Sequence, residues 1–551
     1  MNGEGVTTIA PETAKDAPAG QAVYRVLLAD NIDSEGLEPL RADGRFELEV
    51  RTGLKGEELA RAIAGFDAVI VRSATRITRE ALAYADRLKV IGRAGVGVDN
   101  IDVEAATERG VAVLNAPSGN TISAAELTMA LLLALVRRIP AADRSMKAGE
   151  WDRKSFSGIE LYGKTLGLIG AGRIGREVAK RARAFEMRVI AYDPYLTEEQ
   201  ARALDIERAS LDEVLRRADV VSLHVPLTET TAGMINEAAL AKMKPGALLV
   251  NAARGGVVDE DAVYRFLQEG RLGGAAFDVY EEEPLPADHP LRKLNNVVLT
   301  PHLGASTEEA QRNVALEIAE AVRAALTEGD FSRAVNAPAI GGEAMRRLRP
   351  LLDLAERLGR LAAALGDGAI KSIEIRYAGQ VEEGLRPVAA ATLVGVLRDV
   401  VGASAVNLVN ALHLAQSRGI AVQQVRRGPH SDYAEYVELQ LTRERGQTRV
   451  AAALLSESHA RVVGIDNFHV DVVPRGSLVV LRNRDVPGVI GRVGTLLGTA
   501  GINIAEYHQA RHEAGGEALA AISVDGRLSA EVIDALRQVP EILEVRQAQL
   551  D

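Results

Sequence analysis

Arg254, Glu283 and His302 each follow a short apolar run: ALLVNA before the arginine, AAFDVY before the glutamate, NVVLT before the histidine. In an open parallel sheet, strand carboxyl ends point into the crevice where ligands bind. The spacing therefore predicts a guanidinium, a carboxylate and an imidazole converging at one rim. Arginine's planar fork suits a carboxylate and polarises an adjacent carbonyl. Imidazole gives or takes a proton near neutral pH, and a neighbouring carboxylate stabilises its charged form. Together they point to coupled proton and hydride transfer. Upstream, residues 166–175 (LGLIGAGRIG) place Gly170, Gly172 and Gly175 in a G-x-G-x-x-G loop. The first glycine allows a tight turn, the second lets a pyrophosphate approach, and the third lets helix pack on strand. Amides at the helix start then hold the phosphates. Asp193 closes the next apolar run, MRVIAYD, at the distance expected for a carboxylate on an adenosine ribose, which favours NAD over NADP. A second loop, GRAGVGVDNID (92–102), lacks the third glycine. Its amides at Gly95, Val96 and Gly97 could hold a small carboxylate or form a plain strand-to-helix turn.

These residues need a parallel sheet to place them. Apolar runs YRVLLAD, FDAVIVR and LKVIG alternate with helical stretches, and a long helix is expected at 123–137, with Pro140 as its stop signal. The alternation resumes with LGLIG, MRVIAYD, DVVSLHV, ALLVNA, AAFDVY and NVVLT, six runs that make a dinucleotide-binding sheet. An amphipathic helix at 307–328 could carry the chain back to the first sheet, leaving one lobe inserted in the other. Beyond a turn-rich break at 336–343, helical runs (348–365, 390–398) mix with strand-like alternation (372–377, 436–441, 450–454). The last stretch reads βαββαβ, a ferredoxin-like order, with helices at 489–499 and 529–538 and Gly501 as a left-handed cap. The expected class is α/β: two Rossmann-like doubly wound lobes, an α+β domain and a ferredoxin-like βαββαβ domain.

Composition narrows the function. The 551 residues exceed one core, and 47% apolar with 26% charged residues is ordinary for a globular protein. A net charge of −11 argues against nucleic-acid binding. Absence of cysteine excludes disulfides, thiolate metal sites and a cysteine nucleophile, and it fits a cytoplasmic protein. Nine histidines show no H-E-x-x-H clustering and no G-x-S-x-G occurs, so neither a metal centre nor a serine nucleophile is expected. Residues 1–22 read as a disordered tail without a signal peptide. The longest apolar stretch, 127–136, is too short for a membrane span.

With NAARGGVVDE, AAFDVYEEEP and TPHLGASTEEAQ assembled, the chain resembles the D-isomer-specific 2-hydroxyacid dehydrogenases. The resemblance implies Arg254, Glu283 and His302 as the catalytic set. It places NAD on Gly170, Gly172, Arg173, Ile174, Gly175, Asp193, Pro226, Ala252, Asp278 and Gly304. VRSATRIT, NAPSGNTISAAE and RRIPAADRSMKAGEW extend the likeness to a long-form branch that oxidises 3-phospho-D-glycerate to 3-phosphohydroxypyruvate at the start of L-serine biosynthesis. That likeness implies Arg72, Ser73, Arg93 and Asn120 at the substrate phosphate and Gly95, Val96 and Gly97 at its carboxylate. Arg137 would come from a neighbouring subunit of a homotetramer. The implied domains are a tail (1–22), a substrate-binding domain (23–118 with 304–338), an NAD-binding domain (119–303), an intervening domain (339–474) and an ACT domain (475–551). In the ACT domain Asn483, Asp485 and Asn503 would hold an L-serine effector across a subunit interface. Rival readings are a glyoxylate or hydroxypyruvate reductase of the same family, and a non-catalytic NAD-sensing scaffold like the co-repressors built on this fold.

Overall fold

The computed structural model describes residues 8–12, 23–456 and 459–551, which form four sheets of six, seven, six and four strands. Most of the expected tail lies outside the described residues. Thr8–Glu12 instead pairs antiparallel with Phe46–Arg51, a departure from the expectation of an unstructured end. This strand is the edge of its sheet.

The other strands of the first sheet are parallel: Tyr24–Leu28, Phe46–Arg51, Ala68–Val71, Val90–Arg93 and Ala112–Asn115, in spatial order 2-1-3-4-5. Two of them escaped the sequence reading. FELEVR is interleaved with charge, because Glu49 pairs with Arg25 and Arg51 beside the edge strand. AVLN is only four residues long, too short for periodicity to mark, although Gly110 (φ 70°) ends the helix before it.

The second sheet contains all six expected strands in parallel: Thr165–Ile169, Arg188–Tyr192, Val220–Leu223, Ala247–Asn251, Leu272–Phe277 and Val297–Leu299. A seventh, the exposed two-residue Glu207–Arg208, adds one edge. The resulting order is 3-2-1-4-5-6-7. One cross-sheet row joins Ile169, Leu223, Asn251, Phe277 and Leu299, the last residues of five strands. Because they end level, the segments that follow emerge at one rim.

Two helices tie the lobes together. Thr121–Val136 closes at Arg137, and Arg138 then takes a left-handed turn (φ 54°). Pro140 does not end helical structure there; it sits in the first turn of a second helix, Ile139–Lys147, where its missing N–H is harmless. Glu308–Glu328 is capped by the Thr307 hydroxyl, which accepts from the Ala310 amide at 3.1 Å. Its Val314, Ala315, Ile318 and Val322 face enters the core of the first sheet. The second lobe is thus an insertion in the first.

Ile370–Ala378, Ala421–Arg426, Glu435–Arg443, Gln447–Leu454, Ala460–Ile465 and Phe468–Val472 make a mixed sheet covered by helices Gly342–Ala364 and Leu385–Val401. Those helices cross where Gly359 meets Gly395, and a Cβ on either would run into a backbone carbonyl of the other helix. The last sheet (Ser477–Arg484, Ile504–Arg511, Glu517–Val524, Ile542–Gln549) is antiparallel in order 2-3-1-4. Helices Val489–Thr499 and Ala530–Arg537 cover one face. The other face, with Leu478, Val480, Leu519 and Ala548, is continuous with the core of the mixed-sheet domain. Among the described residues no helix is long and apolar enough to cross a membrane.

Candidate active site

A cleft of about 560 Å³ lies between the first two lobes, and Arg254, Glu283 and His302 all line it. His302 Nδ1 is 2.7 Å from Glu283 Oε2, so Nε2 is the nitrogen left for a ligand. Glu283 Oε1 accepts the Tyr280 amide at 3.1 Å. Burial pushes the Glu283 carboxyl up, but the bond and charge of His302, the Tyr280 amide and Arg254 outweigh it and hold the group below its usual range. His302 occupies the left-handed region (φ 56°), an uncommon place for a side-chain-bearing residue. Asp278 holds it there: its carboxylate accepts from Leu303 N (2.7 Å), Gly304 N (2.9 Å) and Thr300 Oγ1 (2.6 Å). Burial raises the Asp278 carboxyl against those bonds.

Arginines gather on the facing wall. Arg72 and Arg93 line the cleft opposite Arg254, and Arg93 Nε is buried without a partner. Burial, then the charges of Arg254 and Arg72, push Arg93 down to about 10. Arg72 is fixed by its own backbone: Asp30 accepts its amide at 2.5 Å, and Asn100 Nδ2 donates to its carbonyl at 2.6 Å. Arg254 Nε lies 3.4 Å from Asp99. The 95–97 loop is cut to fit these side chains, since a Cβ at Gly95 would strike the Arg93 guanidinium and one at Gly97 that of Arg254. Gly95 also departs from its expected role, because its N–H turns back to the Arg93 carbonyl (2.8 Å). Val96 and Gly97 keep amides without a protein acceptor among the described residues. Asn120 caps the start of Thr121–Val136 in position only: its side chain makes no cap bond, and Oδ1 is buried without a partner.

The glycine loop fits a dinucleotide. Gly170 has φ 98° with the His224 carbonyl beside it, and Gly175 leaves no room for a Cβ against the Gly170 carbonyl. Gly172 alone faces open space, where a pyrophosphate would approach. It is the N-cap of Arg173–Ala184, which directs free amides into that space. Asp193 is braced between Ala171 N and Tyr195 N, both at 2.8 Å. Ile174, Pro226, Ala252, Asp278 and Gly304 line the same cleft, as does Ser73.

Some predicted residues lie elsewhere. Arg137 ends a 16-residue helix whose first turn is at the cleft, roughly 24 Å of helix away. Asn483 and Asp485 flank one end of strand Ser477–Arg484, whereas Asn503 precedes Ile504, which pairs with Val524 at the opposite end. One chain does not bring these three together. Asp485 accepts from Arg511 Nη1 (2.8 Å), and Asn503 donates to Asp525 (3.1 Å). Asn483 is 1% exposed, with Oδ1 unpartnered. The sequence reading missed His224, which also follows an apolar strand, lines the cleft, meets Ser222 Oγ at 2.9 Å and is pushed down to about 4 by burial. The strand-end rule applied to the other three residues would have found it.

Three family models match: "D-isomer specific 2-hydroxyacid dehydrogenase, NAD binding domain" over 129–304, "D-3-phosphoglycerate dehydrogenase intervening domain" over 347–466 and "ACT domain" over 477–541. The D-3-phosphoglycerate dehydrogenase of Methanocaldococcus jannaschii is 43% identical over 525 residues, 95% of this chain and 99% of that protein. The chain belongs to the D-3-phosphoglycerate dehydrogenase family. The enzyme of that name from Bacillus subtilis is 41% identical, with the same coverage of both chains. A crystal structure of D-lactate dehydrogenase from Aquifex aeolicus, complexed with NAD and lactic acid, superposes with a TM-score of 0.50 at 31% identity, covering 56% of this chain and 98% of that one. The protein is an NAD-dependent dehydrogenase with an ACT domain.

Proposed function

We propose that the enzyme oxidises 3-phospho-D-glycerate to 3-phosphohydroxypyruvate, the step that opens L-serine biosynthesis. The carrying observation is the trio Arg72, Arg93 and Arg254 in one cleft, with Arg93 part-buried and in no ion pair among the described residues. Such a cluster calls for an anion with two charged ends. When bound, NAD supplies the acceptor for the C2 hydride. His302 Nε2 takes the C2 hydroxyl proton as the C2–O bond becomes a carbonyl, while Glu283 balances the imidazolium. Arg254 binds the substrate carboxylate and the developing carbonyl, aided by the amides of Val96 and Gly97. Arg72, Arg93, Ser73 and Asn120 take the phosphate.

We place the enzyme in the cytoplasm as a homotetramer. Ile139 (52% exposed) and Met146 (53%) lie seven residues apart on one helix, and Trp151 (79%) and Tyr162 (70%) follow in the next segment; such exposed apolar side chains suit contact with a second copy, which would carry Arg137 to a neighbouring cleft. L-Serine is the proposed effector, held by Asn483 and Asp485 of one copy and Asn503 of another. Their separation within one chain supports a site shared between copies.

The test is NADH oxidation with phosphohydroxypyruvate, hydroxypyruvate and glyoxylate, using wild type and Arg93→Ala. Wild type should prefer the phosphorylated acid by roughly 10²-fold in kcat/KM, and Arg93→Ala should erase most of that preference. Equal or better use of an unphosphorylated acid would make the enzyme a glyoxylate or hydroxypyruvate reductase instead. No turnover of any acid would favour the NAD-sensing scaffold.

A further inference from the structure

Glu260 lies six positions beyond Arg254, at the start of helix Glu260–Gln268, and is only 6% exposed. It does not line the cleft. Its Oε1 accepts the Glu281 amide at 2.8 Å, and its Oε2 lies 3.3 Å from His289 Nε2. The peptide group it holds, Tyr280–Glu281, is pinned from the other side too. The Tyr280 carbonyl packs against Gly255, the residue after Arg254, so closely that a Cβ there would strike it. The preceding amide, Tyr280 N–H, donates to Glu283 Oε1. One peptide thus joins the loop that carries the guanidinium to the loop that carries the carboxylate, and Glu260 fastens that joint.

We propose that Glu260, oriented by His289, is a positioning residue that locks the Arg254 loop to the Glu283 loop and so fixes where Glu283 presents its oxygen to His302. This rests on reading Glu283 and His302 as the acid–base pair. The tautomer of His289 shows why a charged Glu260 is needed. His289 Nδ1 is buried with no partner among the described residues, so the neutral ring keeps its proton on Nε2, the nitrogen that faces Glu260 Oε2 across 3.3 Å, where an ionised carboxylate is favoured. A protonated Glu260 would lose that charge attraction and carry a buried carboxyl proton that needs an acceptor of its own. The groups facing Glu260 are Asp261 on its own helix, Tyr280, Glu281 and Glu283 on the opposing loop, and His289. Burial, then the charges of Glu281, Asp261 and Glu283, push its carboxyl up to about 7 against the Glu281 amide, so the lock weakens just below neutrality.

The experiment measures kcat, both KM values and melting temperature between pH 6 and 9 for wild type, Glu260→Ala, Glu260→Gln and His302→Ala. Glu260→Ala should lose roughly tenfold in kcat while KM for NAD stays near wild type, because misplacing a reacting group costs rate before coenzyme binding. Glutamine keeps an acceptor for the Glu281 amide without a titrating group. Glu260→Gln should therefore recover most of the turnover at high pH and lack one of the ionisations in the wild-type fall below pH 7. Wild-type kcat in Glu260→Ala beside an inactive His302→Ala would overturn the positioning role and leave the acid–base reading intact. An active His302→Ala would overturn that reading itself. A joint worsening of kcat and KM for NAD with a lower melting temperature would make Glu260 merely structural. Should the alanine variant fail to fold, Glu260→Gln decides alone: an unchanged fall below pH 7 would contradict the proposal.

Discussion

At the scale of single residues, the proposed chemistry depends on which nitrogen of His302 is free. Glu283 occupies Nδ1, Asp278 fixes the backbone that follows, and Nε2 is left to the substrate. Replacing His302 with alanine should lower turnover by at least about 10²-fold, the scale of losing a general acid–base group; assays showing near-normal kcat would remove it from the mechanism. Glu283 is held below the usual carboxylate range, so it stays charged at any working pH. Glu283→Gln should cut kcat by roughly tenfold or more, since a neutral amide cannot balance an imidazolium; unchanged kcat would remove Glu283 from the mechanism. Arg254, Glu283 and His302 were legible in the sequence because each follows an apolar strand, and a parallel sheet brings such ends together. Asp99, Asp278's grip on residues 303–304 and the Glu260 joint rest on contacts between loops distant in sequence, which periodicity does not report. At Gly95 the glycine-rich string left free amides or a plain turn open, and its N–H turns back to the Arg93 carbonyl beside the Arg93 guanidinium.

At the scale of elements, the glycine loop separates binding from folding. Gly172 faces open space and Gly175 is wedged against the Gly170 carbonyl. Gly172→Ala should keep its melting temperature yet bind NAD at least about tenfold more weakly, because the added methyl occupies the place of the pyrophosphate. Gly175→Ala should melt earlier, because helix and strand can no longer approach. Calorimetric melts with NAD titrations distinguish the two, and equal effects would contradict this division. Asp67, just before strand Ala68–Val71, gives a pH-dependent test. Burial raises its carboxyl, but Arg87, the Arg25 amide and Lys89 together hold it below its ordinary value. A depressed folded-state pKa adds stability above the unfolded value, near 3.9, and loses it as pH falls through the folded one. Asp67→Asn should therefore cost about 2 kcal/mol at pH 7, with the difference from wild type fading below about pH 4. A deficit that does not shrink as pH falls from 7 into the acid range would assign the loss to packing. Strands with uniform apolar runs were readable at this scale. Phe46–Arg51, whose alternate residues carry charge, and Glu207–Arg208, only two residues long, were not.

At the scale of the whole molecule, the ACT sheet has no free inner face, because its Leu478–Ala548 side belongs to the core of the mixed-sheet domain. That domain reaches the substrate lobe directly: Asn407 and Asn410 donate to the Gly110 and Glu108 carbonyls at the end of helix Val103–Glu108, which follows the 95–97 loop. The βαββαβ order and the inserted lobe were visible in sequence because each comes from a run of complete elements. The extent of this joint core was not, since no local pattern marks which sheet face another domain covers. Calorimetry should detect L-serine binding that Asp485→Ala abolishes; no binding at millimolar concentration would leave the ACT domain a structural member.

In the proposed reaction one cleft moves a hydride from C2 of a phosphorylated hydroxyacid to NAD while His302 takes the proton. Incubating 3-phospho-D-glycerate deuterated at C2 with NAD and the enzyme tests it most directly. Mass spectrometry should find one deuterium in each NADH formed and none in solvent. NADH without the label, or no NADH at all, would contradict the account.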